Sequence, residues 1–301
     1  MIRFEKTQIV GWEPAIRGMR NPLESWEKSD SRFNGRRYLH YSDNEPECFY
    51  DEEGAPYVND YPVIGPNDLG LMNILRNAGS DDRKFMRQIV IYVDITAPLY
   101  WWKEFDTYKI GTVANSCSTM HRIHAKEFTM DDFSHEHLID ENDETLTWGE
   151  TVPLVNLEST IHALNRYRDK YIEAKTKPMK EESKIAGLMK KYWWQMIQLL
   201  PSSYMQTRTV MLNYEVAMNA YHARKGHKLD EWREKFCEWV KSLPYSELIT
   251  APLPIELLRE ENKALKEEIE RLKAENKQLR DEMAIIIHAL ATCASSDGKG
   301  D

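Results

Sequence analysis

Leucine recurs at every seventh position near the end of the chain, and this spacing predicts a coiled coil. Counted from Ile255, the d positions hold Leu258, Leu265, Leu272, Leu279 and Ile286, and the a positions hold Ile255, Asn262, Ile269, Asn276, Met283 and Leu290. A strict apolar repeat of about 3.5 residues imposes a left-handed supercoil. The alternative, a lone amphipathic helix, would leave this apolar stripe in water.

Charges beside the stripe predict how the helices pair. The g positions are Glu261, Glu268, Glu275 and Glu282, and the e positions are Arg259, Lys266, Lys273 and Arg280. A parallel pair sets each glutamate against a cation, whereas an antiparallel pair sets glutamate against glutamate. Asparagine at two a positions favours two strands. We predict a linker over 251–254, a parallel dimeric coiled coil over 255–291 and a disordered tail over 292–301.

The apolar pattern of residues 1–250 predicts one α+β domain. The run QIVIYVDIT at 88–96 is β-branched and apolar, which predicts a buried strand. Apolar residues at helical spacing predict helices over 66–78, 99–110, 157–173, 190–200, 205–224 and 228–242. We predict a hairpin or long loop around Glu53-Gly54 in the acidic segment 41–60, and a charged loop over 175–183.

Composition and charge restrict the class of protein. The 301 residues include nine tryptophans and fifteen tyrosines, which exclude a wholly disordered chain. No run is apolar enough to span a membrane, and we predict no membrane partner and no export signal. Four cysteines without CxxC spacing suit reduced thiols in the cytoplasm.

The net charge of −9 argues against binding of long nucleic acids. The acids are concentrated, however, because segments 41–60 and 127–150 contain many carboxylates and no lysine or arginine. The rest of the body is net positive. A basic pocket for one small nucleotide therefore remains compatible with the sequence.

Three local patterns could carry chemistry. The run NSCST at 115–119 could present hydroxyls and amides to a phosphate, or it could be an ordinary capping turn. The pair His135-Glu-His137 could bind a metal, although its spacing is typical of no zinc site and an acidic surface loop is the alternative. Polar residues on the helix after Pro201 need partners, which could be structural or a ligand.

Taken together, separated stretches of the chain resemble the flavin-dependent thymidylate synthases. IVIYVDITAPLYWWKEFDTYKIGT has the layout of that family's strand, Ala-Pro break, helix and Arg-His-Arg-x-x-Ser motif, with 107–112 on the motif. NSCSTMHR stands where the family has a turn ending in Ser-x-Arg. Leu200-Pro201, Asn213, Asn219 and Arg224 keep the family's spacing, and Ala15-Ile-Arg17-Gly-Met-Arg20 is similar to its Ala-x-Arg-x-x-Arg element. The resemblance covers about residues 10–250, and similar blocks occur in bacteria and their phages.

This resemblance implies a thymidylate-synthase-complementing-like fold, with a curved, mainly antiparallel sheet packed by helices. It also implies a homotetramer with shared sites that methylates dUMP using FAD, NADPH and methylenetetrahydrofolate. Matching positions assign catalytic roles to Arg224, Tyr108 and Lys109. They assign substrate contacts to Thr112, Ser116, Ser118, Arg122, Arg17 and Arg20, and cofactor contacts to Asn213, Asn219 and Lys103.

The sequence departs from the family's cationic positions. The Arg-His-Arg triplet is Thr107, Tyr108 and Lys109 here, and Glu215 stands in place of an arginine. The family's flavin-contacting His-Glu-Thr turn is Ser80-Asp81-Asp82. Loss of these cations should weaken binding of an anionic dinucleotide by several kcal/mol. Two alternatives to the enzyme follow: a nucleotide-binding protein without cofactor, and an interaction scaffold that oligomerises through the coiled coil.

Overall fold

The computed structural model describes residues 2–33, 41–42, 45–46, 62–176 and 182–296, with side chains for 2–33, 62–176 and 183–287. The chain divides into two compact units, Met1–Thr250 and Ala251–Asp301. Among the described residues, no helix combines the length and apolar character that a membrane crossing needs.

The first unit is built on an open sheet of four strands, each antiparallel to its neighbours. In chain order the strands are β1 (Arg3–Val10), β4 (Val90–Pro98), β5 (Val113–Ser116) and β6 (Met205–Asn213), and across the sheet they run β1, β4, β6, β5. A separate two-stranded ladder joins β2 (Tyr41–Ser42) and β3 (Glu45–Pro46). The predicted α+β class with an antiparallel sheet is confirmed, while the predicted turn at Glu53-Gly54 lies outside the described residues.

Strand β4 is the buried centre of this sheet. Ile91, Val93, Ile95 and Ala97 are at most 1% exposed, which confirms the strand predicted from the apolar run. Its pairing with β6 sets Val90 opposite Asn213 and Pro98 opposite Met205. The two ends of β6 therefore lie at opposite ends of the sheet.

The helix predicted over 205–224 is wrong in its first half. Met205–Asn213 is β6, and only α8 (Tyr214–Arg224) is helical. Thr207, Thr209 and Val210 are β-branched, and the backbone of this stretch pairs with strands on both sides. The helical spacing of apolar residues gave a wrong prediction because pairing with β4 and β5 decides the conformation of this stretch. The local sequence pattern does not contain that pairing.

The described part of the first unit contains further helices, of which α6 and α7 pack on each other. They are α1 (Trp12–Arg20), α2 (Pro66–Ala78), α3 (Phe85–Gln88), α4 (Leu99–Phe105), α5 (Thr119–Arg122), α6 (Pro153–Thr176), α7 (Glu182–Leu199), α9 (Cys237–Lys241) and α10 (Glu247–Thr250). Helix α2 has the predicted bounds. Helices α6 and α7 extend beyond theirs into the predicted loop 175–183, of which 177–181 lie outside the described residues. The helix predicted over 228–242 is a π-helical turn, Glu231–Phe236, followed by α9.

Helix α4 is shorter than predicted. It ends at Phe105, and the chain turns before β5 through a loop in which Gly111 has φ +81°. A left-handed backbone at this residue is easy only for glycine. Trp101 on α4 is fully buried and stacks on Trp232 of the π-helical turn, with ring centroids 4.4 Å apart.

The second unit contains one long helix, α11 (Pro254–Ser296). It includes the range 255–291 that was predicted to form a coiled coil, and it continues to Ser296, into the range predicted to be a disordered tail. Pairing with another helix stays a prediction.

Candidate functional site

Arg224 is held between two elements that the sequence places far apart. Its Nε donates a hydrogen bond of 3.0 Å to the Tyr108 hydroxyl, and its Nη2 lies 2.9 Å from a carboxylate oxygen of Glu104. The guanidinium also lies over the rings of Tyr108 and Trp232, at 5.6 and 5.3 Å from their centroids. Two of the three predicted catalytic residues are therefore in direct contact.

The loop 107–112 is anchored onto the start of α8. Thr112 Oγ1 donates to the carbonyl oxygen of Tyr108 at 2.5 Å. A Cβ at Gly111 would lie 2.9 Å from Asn213 Nδ2, so the loop approaches this side chain closely. Asn213 Oδ1 accepts the Val216 amide at 3.0 Å and caps α8. The loop therefore runs along α8, with Gly111 beside Asn213 at the start of the helix and Tyr108 beside Arg224 at its end.

Three further predicted residues of this side of the molecule are solvent-exposed. Lys109 follows Tyr108 in the loop, Lys103 lies on α4 and Asn219 lies on α8. All three side chains are exposed and therefore accessible to a ligand.

A cavity of about 550 Å³ opens at the other end of β6. Met205, Gln206 and Thr207 form part of its wall, together with Thr96 of β4 and the segment 117–119. Gln206 Nε2 donates to the Cys117 carbonyl at 3.1 Å, and the Cys117 amide donates to the Thr207 carbonyl at 2.9 Å. The segment 117–119 of the polar run is thereby fixed against the sheet as part of the cavity wall.

Two predicted substrate contacts, Ser118 and Arg122, line this cavity. Ser118 Oγ accepts the His121 amide at 3.1 Å, so the capping turn weighed as the alternative is present. That contact leaves the hydroxyl proton available for a second partner. Capping and ligand binding are therefore compatible at this side chain.

The cavity is lined by charges of both signs. Its lining includes Arg3, Arg122 and Lys126 against Asp131 and Asp132. Asp132 and Lys126 pair with each other, and Asp132 also accepts the Thr129 amide at 3.0 Å. Arg3 lies 3.8 Å from Glu5. Arg122 is exposed and points to no carboxylate within ion-pair distance in the described part of the chain.

Two groups at or beside the cavity have shifted pKa values, mainly because they are buried. Burial, followed by the charges of Lys175, Arg122 and Arg168, lowers the pKa of His124, which follows the cavity residue Ile123. Burial raises the pKa of the Tyr204 hydroxyl, with smaller contributions from Asp132 and Cys117. At neutral pH, Tyr204 is therefore a protonated hydrogen-bond donor on the cavity wall.

The remaining predicted substrate contacts lie elsewhere. Ser116 is exposed on β5, and Arg17 is exposed on α1. Arg20 is 4% exposed and its Nε pairs with Asp68 at 2.7 Å, so its guanidinium serves the packing of α1 against α2. None of these three lines the cavity.

Asp68 is the acceptor of a buried network. Burial acts to raise its pKa, but hydrogen bonds from Ser31, Ser29 and Arg20 outweigh burial, and the pKa is lowered. The carboxylate stays charged inside the fold because each of its oxygens is paired.

The glutamate that replaces a family arginine is compensated locally. Glu215 forms ion pairs with Arg87 and, at 3.5 Å, with Arg83. Arg87 also donates to the Ser80 carbonyl at 2.8 Å. The local pattern around Glu215 does not indicate these partners, although Arg83 and Arg87 lie close to the departure at 80–82 and are a signal of a relocated charge.

The histidines proposed as metal ligands have other partners. His135 Nδ1 is 2.8 Å from the Phe133 carbonyl, and His137 Nε2 is 3.2 Å from Asp230. Over the residues that the structure describes, no three histidine, cysteine or acidic side chains converge as a metal site.

Comparison with known proteins gives structural relatives. No family model matches the chain, and no curated protein matches it. The chain is similar to thymidylate synthase X (ThyX) from Helicobacter pylori solved with FAD and dUMP, at 14% identity over 83% of this chain and 97% of that chain, with a TM-score of 0.49. A second structure of that enzyme with FAD and dUMP shares 13% identity over 84% and 99% of the two chains, with a TM-score of 0.49.

A third structure is the UMP/dUMP methylase PolB from Streptomyces cacaoi bound with 5-Br dUMP, at 12% identity over 83% and 94% of the two chains and a TM-score of 0.44. The flavin-dependent thymidylate synthases that the sequence resembles are thus also found among the structural neighbours. At these identities and TM-scores, both the fold and the ligand binding are argued from the residues of this chain.

Proposed function

We propose that this chain is a thymidylate-synthase-like protein that binds a pyrimidine nucleotide and transfers a methyl or other one-carbon group to it. The observation that carries the proposal is the cavity at the start of β6. It joins Ser118 and the exposed cation Arg122, two residues assigned to substrate from the sequence, in one lining. A volume of about 550 Å³ also suits a small ligand such as one nucleotide.

In this proposal the nucleotide phosphate binds Arg122 and the hydroxyl of Ser118. A guanidinium can donate two parallel hydrogen bonds to a phosphate, and a serine hydroxyl adds a third. Tyr204 and Gln206 are additional donors on the wall that the sequence analysis missed. Gln206 lies in the stretch 205–224 that was predicted to be helical, and Tyr204 lies directly before it, so the sequence did not indicate either side chain as part of a cavity.

Arg224 has the second role, contact with the pyrimidine base or its flavin partner. Tyr108 and Glu104 fix its guanidinium in one orientation, which is the arrangement that a positioning charge requires. Neither Arg224 nor Tyr108 belongs to the cavity lining. Two separate half-sites on one chain suit the homotetramer with shared sites that the resemblance implies.

A flavin would be held on the Arg224 side. Exposed Lys103 and Lys109 can pair with a diphosphate, and the exposed amide of Asn219 can donate to a ring or ribose. These donors fit an anionic dinucleotide, but lysine lacks the two-pronged geometry of the family's arginines, so we expect weak FAD binding. When bound, the flavin would supply the redox chemistry of methyl transfer.

The first experiment measures nucleotide binding by calorimetry with dUMP. Arg122→Ala should weaken binding about 10- to 100-fold, the value of a charge-assisted hydrogen bond. Arg166→Ala is the matched control, because Arg166 is an exposed arginine outside the cavity lining. Equal affinities for the two variants would exclude phosphate binding at Arg122.

The second experiment separates the enzyme from its alternatives. The purified chain is incubated with dUMP, methylenetetrahydrofolate, NADPH and FAD, and the nucleotide product is weighed by mass spectrometry. A gain of one methyl group that Arg224→Ala abolishes supports the enzyme. Binding of dUMP without turnover supports a nucleotide-binding protein, and absence of both supports the scaffold.

The proposal places the protein in the cytoplasm, as its cysteine spacing suggests. A visible absorption spectrum of the purified chain is the quickest check of the cofactor, since bound flavin colours a protein yellow.

A further inference from the structure

Helix α11 presents one continuous apolar face to solvent. Leu258, Leu265, Ile269, Leu272 and Leu279 are each between 47% and 54% exposed. These side chains recur at alternate steps of three and four residues and so form a single narrow stripe. A stripe of this length is the type of surface that soluble proteins cover with a partner.

We propose that this stripe pairs with the same stripe of a second copy of this chain, in parallel and in register. The proposal is independent of nucleotide chemistry, because every residue that carries it belongs to the second unit of the chain. The charges beside the stripe favour the parallel orientation of the second copy, and the two asparagines in the stripe favour the in-register alignment.

Charge selects a second copy in parallel orientation. Glu261, Glu268 and Glu275 border the stripe on one side, and Lys266, Lys273 and Arg280 border it on the other. In a parallel pair each glutamate faces the cation five positions further along the second copy. An antiparallel pair would face glutamate with glutamate and cation with cation, so the same residues would repel.

The single helix leaves these flanking charges available. Glu268 bonds Arg271 at 2.6 Å and Lys273 bonds Glu270 at 2.8 Å, both within the helix and both largely exposed. Exposed pairs three residues apart contribute little and exchange readily. Contacts with a second helix can replace them at small cost.

The asparagines select the register. Asn262 Nδ2 now donates to the Leu258 carbonyl of its own helix at 2.8 Å. With a second copy in register, Asn262 faces Asn262 and Asn276 faces Asn276, and each amide finds a polar partner. A slip of one heptad would set Asn262 against Ile269 and Asn276 against Met283, which leaves buried amides unpaired.

The charge pattern ends before the apolar pattern does. The e position after Arg280 is Ile287, which is 61% exposed. Met283 and Ile286 are exposed to a similar degree. The first three flanking pairs therefore carry the selectivity, and the last described heptad adds apolar contact area.

The test is disulfide trapping in the full chain. In a parallel pair in register, Asn276→Cys places two thiols face to face, whereas Lys277→Cys places them on the outer surface. After mild oxidation, non-reducing electrophoresis should show several-fold more cross-linked dimer for Asn276→Cys than for Lys277→Cys. The wild-type chain supplies the background from natural cysteines.

Charge reversal tests orientation by a second route. One chain carries Lys266→Glu and Lys273→Glu, the other carries Glu261→Lys and Glu268→Lys, and both carry Asn276→Cys. Each chain alone should lose the cross-link by like-charge repulsion, and the mixture should recover it. Full cross-linking of each chain alone overturns charge-directed pairing, and equal trapping at 276 and 277 overturns the paired stripe.

Association of the body through other surfaces leaves the difference between 276 and 277 unchanged, because these adjacent positions differ only in the face of the helix. Loss of dUMP binding in the earlier experiment would likewise leave it unchanged. Failure here and failure of the proposed function are therefore separate results.

Discussion

The Arg224 guanidinium donates a 3.0 Å hydrogen bond to the hydroxyl of Tyr108, a residue 116 positions earlier in the chain. The contact links the end of α8, which carries Arg224, to the loop after α4, which carries Tyr108 at the position of the Arg-His-Arg motif. Tyr108 stands where the motif has histidine, and its hydroxyl orients the guanidinium of Arg224.

Tyr108→Phe should remove this hydrogen bond and keep the ring under the guanidinium. We expect the free energy of unfolding to fall by about 1 kcal/mol, since Arg224 keeps its pair with Glu104. Urea unfolding measures the change. Tyr92→Phe, an exposed tyrosine on β4, is the control and should be neutral; an equal loss in both variants would show that the contact contributes nothing.

The buried carboxylate of Asp68 should give the protein a pH-dependent stability. Its pKa is lowered in the fold from the ordinary 3.8, so the carboxylate stabilises the native state above that pH. As the pH falls below about 4 towards the folded-state pKa, this contribution is lost. Asp68→Asn should cost about 3 kcal/mol at neutral pH and flatten the acid limb.

Unfolding free energies between pH 2 and pH 7 measure this dependence. Glu158→Gln, an exposed carboxylate on α6, is the matched control and should leave the acid limb as in the wild type. An acid limb in Asp68→Asn as steep as that of the wild type would assign the pH dependence to other groups.

Replacing Glu215 with arginine, the residue at this position in the flavin-dependent thymidylate synthases, should destabilise the fold. Glu215→Gln removes the charge that Arg83 and Arg87 share and should cost about 1 kcal/mol. Glu215→Arg adds a third cation to the cluster and should cost about 3 kcal/mol. Thermal unfolding ranks the two variants, and the reverse order would mean that the cluster tolerates the family's residue.

Gly111→Ala should strain the loop that carries the motif. An alanine there must adopt φ +81°, and its Cβ would approach Asn213 Nδ2 and Val216 Cγ2 to 2.9 and 3.0 Å. We expect a loss of about 1 to 2 kcal/mol. Gly226→Ala, whose Cβ would meet nothing within 4 Å, should be neutral in the same chemical denaturation series.

The sequence predicted local features well and long-range ones poorly. Helix α2 and the centre of β4 follow from caps and apolar runs that lie within a few residues. Strand β6 could not be predicted, because its hydrogen bonds go to β4 and β5, and no local pattern contains those partners. The same reason explains Arg20, whose partner Asp68 is 48 positions away.

In the candidate site, too, residues close in sequence were predicted and contacts between distant elements were not. Ser118 and Arg122 were found together because they are neighbours in one short segment. The contacts of Arg224 with Glu104 and Trp232 were missed, since only the packing of α4, α8 and the π-helical turn brings these side chains together.

The thiol of Cys117 is exposed on the cavity wall, whereas that of Cys237 is buried and its pKa is raised by burial. The protein therefore contains its own reporter of occupancy. An alkylating reagent should label Cys117 quickly in the free protein and slowly when a nucleotide fills the cavity, with Cys237 silent in both states. Peptide mass spectrometry of the labelling rate would show which compounds enter the cavity before any catalytic assay exists.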